Sequence, residues 1–215
     1  MKKILMLVAV ISIANMLYAQ SEKYTAAMKK NISLLDSAMA KGNAAELANN
    51  FERIGDAEKT QWLPYYYASY CTILASYSNQ DKGKTDAMAD KAQQLINKSE
   101  QLAGRDNSET AVIESMIASS RLMVDPQNRY MQYGPIAAGY IVKAKELDPT
   151  NPRPVYLEGT TKFYTPEAFG GGKVPAKEIF NVALGMFDTF KPAAELYPTW
   201  GKSSALYFIS LCNQK

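Results

Sequence analysis

Apolar residues recur every three to four positions along most of this chain, the spacing of one face of an α-helix. Tyr24, Met28, Ile32 and Leu35 share a face and predict a helix over about 22–39. Lys41-Gly42-Asn43 closes it, glycine being suited to the left-handed cap. Leu47, Phe51 and Ile54 predict a second helix over about 44–54. A third spans about 60–77, with Pro64 in its first turn, where a missing N–H costs nothing. Further helices are predicted over about 85–102, 109–124, 135–147, 153–164, 175–190 and 199–212. Alternation of period two is absent, as are Asn-Gly and Asp-Gly hairpin signals. The chain therefore reads as all-α.

One pattern occurs three times: Ala92-x3-Ile96-x2-Ser99-x2-Leu102, Ala137-x3-Ile141-x2-Ala144-x2-Leu147 and Ala176-x3-Phe180-x2-Ala183-x2-Met186. A small residue at a helix contact lets two backbones approach, and the larger residue beside it fills the remaining gap. A unit of this kind cannot bury its apolar face alone and must stack on its neighbours.

These helix pairs resemble the tetratricopeptide repeat, a unit of about 34 residues with a W-x2-L-G-x2-Y helix, an A-x3-F helix and a closing Pro. Ala137, Ile141, Ala144, Leu147 and Pro149 match the second helix, and Tyr156, Leu157, Gly159 and Phe163 match the next first helix. Ala137 to Gly159 is 22 residues, the family's spacing. Within a pair the family needs about 12 residues. Here Ala68 to Ala92 is 24, Ala118 to Ala137 is 19 and Gly159 to Ala176 is 17. The excess thus falls between the two helices of each pair. In the first pair longer helices or an inserted loop both accommodate it. In the third, Pro166 and three glycines demand a loop. The resemblance implies an α-solenoid of about three degenerate helical-hairpin repeats over 20–215 with a C-terminal capping helix. It looks like one of the small exported bacterial proteins of this type.

Composition bears on compartment and partner. Lys2 and Lys3 precede an apolar run from Ile4 to Leu17, and Tyr18-Ala19-Gln20 follows. This describes a signal peptide over 1–19, cut after Ala19. The expected product is periplasmic or secreted, with no membrane span after cleavage. Taking Lys2 and Lys3 from 24 Lys and Arg, against 21 Asp and Glu, leaves +1, so nothing argues for nucleic acid. Cys71 and Cys212 fall several helices apart in a stack, and two free, buried thiols are expected.

The sequence holds no His, which removes His-based triads and His-metal chemistry, and no Ser-x-x-Lys occurs. No enzymatic activity and no cofactor are expected. Two places could bind a partner. The resemblance implies a concave face lined by Trp62, Tyr65, Ser69, Thr72 and Ile73 in one unit and Arg153, Tyr156, Thr160, Phe163 and Tyr164 in another. Such a face would hold a protein or peptide of the cell envelope, and it requires Tyr65 and Tyr156 to be accessible. The loop Gly170-Gly171-Gly172-Lys173 fails the phosphate-loop motif, but free N–H groups there could hold an anion. The alternative function is a periplasmic small-ligand module similar to the T-component of TRAP transporters.

Overall fold

The computed structural model describes residues 22–79 and 81–214, so the predicted signal peptide lies outside the described residues. Those residues are all-α with no strand. The helices are α1 (22–32), α2 (Leu35–Lys41), α3 (Ala44–Glu58), α4 (Leu63–Tyr77), α5 (Lys82–Ala103), α6 (Ser108–Val124), α7 (Pro126–Leu147), α8 (Pro152–Tyr164), α9 (Lys173–Thr189) and α10 (Lys202–Asn213). A 3-10 turn, Glu167–Phe169, lies between α8 and α9.

Local chemistry sets these boundaries. Asp81, Asn107 and Asn151 each accept a first-turn N–H at the starts of α5, α6 and α8. Gly42 and Gly104 close α2 and α5 in the left-handed conformation. The helix expected over 22–39 breaks at Ser33-Leu34. There the Asn31 amide donates to the Ala27 carbonyl and the Ser33 hydroxyl to that of Lys30, in competition with the helix ladder.

A larger departure is α7, expected to start at Pro135 but starting at Pro126. Pro135 sits inside it, at a cost of about 3 kcal/mol in an isolated helix. Packing outweighs that cost, because α6 and α7 form the most extensive helix pair of the molecule. The excess in the first and second pairs is therefore helix length. Only in the third pair is it a loop.

Each helix packs on the next in sequence from α3 to α10, and α4–α6 and α6–α8 also touch. The thrice-repeated pattern forms these seams. Ala92, Ile96, Ser99, Ala137, Ile141, Ala144, Ala176, Phe180 and Ala183 are all buried. The small residues expose the backbone of their helix to the neighbouring one. Ser69 donates to the Ala92 carbonyl (2.8 Å), Ser115 to that of Ala137 (2.9 Å) and Ser108 to that of Ala144 (2.8 Å). Gly159 of α8 lies so close to α9 that a Cβ there would stand 2.5 Å from Phe180 Cε1.

The segment between α9 and α10 is not helical. It runs as a strap from Phe190 to Gly201 across the inner side of the stack. Leu196 O accepts from Tyr67 Oη (2.9 Å), and the Tyr197 ring meets Trp62 edge-on at 5.5 Å. Trp200 stacks on Tyr70 at 4.2 Å and donates its indole N–H to Tyr66 Oη (2.9 Å). Beyond the strap, α10 packs on α9 and closes the end of the stack.

Candidate functional site

The expected concave face does not stand open in its first half. Tyr65 is 1% exposed, packed over Gly55 with its hydroxyl donating to Asp56 (2.8 Å). Ser69 and Thr72 are buried and donate to the Ala92 and Ala68 carbonyls. Ile73 is buried, and Trp62 is half-buried beneath the strap. Neighbouring helices supply the reason, since Tyr65 packs on α3 and Ser69 on α5, while the strap's Tyr197 and Trp200 cover Trp62, Tyr66 and Tyr70.

Arg153 is also buried, at 0% exposure. Its Nη1 donates to Glu109 (2.9 Å) and Asn151 (3.1 Å), its Nη2 donates to the Pro198 carbonyl, and its guanidinium lies over the Phe190 and Trp200 rings. Tyr66 and Asn151 complete the shell of Glu109. Burial pushes the Glu109 carboxyl above its ordinary range, and Arg153 and Tyr66 act against that push.

The glycine loop offers no anion cradle. The N–H groups of Gly170, Gly171 and Gly172 donate to the Glu167, Pro166 and Lys162 carbonyls, and Lys173 Nζ donates to the Gln214 carbonyl. Gly171 is required there, since a Cβ would collide with the Thr165 carbonyl. Phe169 beside it stands 80% exposed. Both cysteines are free; Cys71 is buried as expected, but Cys212 is only half-buried.

The second half of the concave face remains accessible. Tyr164 is 62% exposed, Tyr156 and Phe163 are half-buried, and Thr160 donates to the Leu157 carbonyl. These α8 residues meet α10. Phe208 lies 5.3 Å from Phe163, 6.1 Å from Tyr164, 6.2 Å from Tyr156 and 5.1 Å from Phe180 between ring centroids. Tyr207, 60% exposed, extends the aromatic surface along α10. Tyr77 at the end of α4 donates its hydroxyl to the Met116 carbonyl of α6 (3.3 Å).

Sequence reading missed Tyr207 and Phe208. The available signal was Leu206-Tyr207-Phe208, more consecutive apolar residues than one helix face can bury.

A phenol is already neutral at neutral pH, and burial pushes Tyr156, Tyr164 and Tyr77 further up. Tyr156 is pushed up to about 12, with Ser204 opposing. Tyr164 is raised by burial and then by Tyr207. Tyr77 is raised by burial and then by Tyr156 and Tyr164. The face therefore presents flat rings and uncharged hydroxyls at neutral pH. Such a surface can stack on a planar apolar ligand and hydrogen-bond its polar edge. Among the described residues no group of three or more His, Cys, Asp or Glu converges, and no helix is long and apolar enough to cross a membrane.

Fold and site define an all-α helical-repeat protein with an aromatic face at its C-terminal end. No protein-family model and no curated protein matches the sequence. Among solved structures, the HusA haemophore from Porphyromonas gingivalis is 33% identical, with a TM-score of 0.76 over 88% of this chain and 92% of its own. The chain belongs to the family of that haemophore.

Proposed function

We propose that this protein is an exported, non-enzymatic carrier of a porphyrin-type ligand such as haem, held against the aromatic face of α8 and α10. The observation that carries the reading is the exposed pair Tyr164 and Tyr207 flanking Phe208 in a chain related to a haemophore. A porphyrin is a planar apolar macrocycle with carboxylates at one edge, and rings with protonated hydroxyls suit both parts. With no His and with neutral phenols, affinity comes from the macrocycle more than from an axial ligand. The stacked hairpins are read as degenerate tetratricopeptide-type repeats, and the leader over 1–19 as a signal peptide cut after Ala19. The small-ligand reading takes precedence over a peptide scaffold because Tyr65, Ser69 and Thr72, which a peptide would need, are buried among the helices and Trp62 lies beneath the strap.

The test is titration of the mature chain with hemin, followed by its Soret band and by tryptophan quenching. Tyr164→Ala/Tyr207→Ala is expected to weaken binding about 30-fold, at about 1 kcal/mol per lost ring, with helicity unchanged. Wild-type affinity in the double variant would move the site elsewhere. Failure of the wild type to shift the Soret band would overturn the reading.

A further inference from the structure

The two walls of the aromatic face sit on helices with very different support. α8 lies inside the stack, between α7 and α9, and also meets α6. α10 is the last helix, and its main helix contact is α9. Its angle to α8 therefore depends on what holds its beginning. That beginning is the end of the strap: Pro198 and Trp200 immediately precede Gly201, whose φ of 114° starts α10.

Exposed contacts steady that point from outside, Lys202 with Asp188 (2.7 Å) and Ser203 with Asp36 (3.2 Å), while the buried polar holds converge on Arg153. Its guanidinium grips the Pro198 carbonyl and lies 5.3 Å from the Trp200 ring and 5.1 Å from Phe190, where the strap leaves α9. Glu109 fixes Arg153 from α6 and also accepts from Tyr66, the residue that accepts the Trp200 indole N–H. Arg153 belongs to the first turn of α8, the same helix that carries Tyr156, Phe163 and Tyr164. One helix thus bears one wall directly and fixes the root of the other wall through its N-terminal arginine.

We infer that Arg153 is a positioning residue for the α10 half of the aromatic face. By gripping both ends of the strap it sets where α10 starts, and so where Tyr207 and Phe208 stand against α8. The arginine touches no ligand. Its effect on a porphyrin rests on the carrier reading above, but its effect on the spacing of α8 and α10 does not. Lysine cannot replace it, because a single ammonium cannot reach Glu109 and Pro198 together while lying flat over two rings.

The experiment measures the spacing and the affinity separately. Spin labels at Thr161→Cys and Ser210→Cys, both exposed sites, report the α8–α10 distance in a Cys212→Ser background by pulsed dipolar spectroscopy. The parent gives one narrow distance. Arg153→Lys is expected to at least double the width of the distribution and to raise the hemin Kd about tenfold. Trp200→Phe keeps the stack on Tyr70, removes the indole donor and buries no unpaired charge. It is expected to broaden the distance in the same direction, with a lower Tm from the lost indole volume but unchanged helicity, and it decides the matter if Arg153→Lys does not fold. An unchanged distribution in the folded variants overturns the inference, as does full rescue by lysine, which would mean that the arginine only neutralises Glu109. If the wild type binds no hemin, the carrier reading fails while the distance measurement still decides the positioning role.

Discussion

Gly159→Ala tests the packing logic of the whole stack at one atom. The new Cβ would stand 2.5 Å from Phe180 Cε1, 2.6 Å from Cδ1 and 3.1 Å from Cζ. Phe180 has nowhere to go: it is 0% exposed and stacked on Phe208 at 5.1 Å and 20°. Overpacking of a rigid core costs about 1–3 kcal/mol. Against that, alanine gains about 0.5–1 kcal/mol over glycine inside a helix. The net expectation is a loss of about 1–2 kcal/mol, or about 2–8 °C in Tm for a domain of this size. Gly139→Ala and Gly185→Ala are the controls, since nothing lies within 4 Å of a Cβ at either helical position. Each should gain about 0.5–1 kcal/mol. The assay is urea and thermal unfolding followed by far-UV circular dichroism, with hemin titration alongside. Because Phe180 supports Phe208, Gly159→Ala should also weaken hemin binding, whereas the controls should not. A Gly159→Ala variant as stable as Gly139→Ala would refute the close α8–α9 approach.

Three further outcomes follow from the same structure. Metal-free protoporphyrin should bind within a few-fold of hemin; a loss of a hundredfold or more would point to an iron ligand instead of the rings. Arg129 makes two bonds to Asp86 (2.7 and 2.8 Å) and holds its carboxyl below the ordinary range. A depressed carboxylate contributes its stability above the unfolded value of about 3.9 and loses it as pH falls through the folded value. Asp86→Asn should therefore cost under about 1 kcal/mol at pH 7 and flatten the acid limb of the stability curve below about pH 4; an unchanged limb would count against the pair. Native protein should present one thiol to a colorimetric disulfide reagent, Cys212, because Cys71 is buried with its thiol pushed far up, and denatured protein should present two.

The stack was legible because its seams are local. The small-and-large pattern marked Ala137, Ile141, Ala144, Ala176, Phe180 and Ala183 as packing positions, and all six are buried. The first wall of the site was not legible because α4 is apolar on every side. Every residue from Leu63 to Leu74 is buried, so periodicity gives no inner face, and Tyr65 turns to α3 while Tyr66 and Tyr70 turn to the strap. The strap itself carries no periodic signal, and its partners lie far away in sequence. The first half of α7 was hidden by Pro135, a residue that more often starts or kinks a helix than continues one.

The strap also changes what kind of object the repeat stack is. Tyr67 reaches the Leu196 carbonyl, Lys29 pairs with Glu195 at 2.6 Å, and Ser203 donates to Asp36. The last segment of the chain is thereby sewn to the first. An open solenoid gains stability one neighbour at a time and can fray from either end. This one is tied back on itself, chiefly through the strap's contacts with α4, so loosening the strap also loosens α4 at the centre of the stack. Its unfolding should be a single cooperative event, and its folding must wait for contacts separated by well over a hundred residues, the slow kind. A chain still emerging from synthesis lacks these contacts until the strap and α10 have been made.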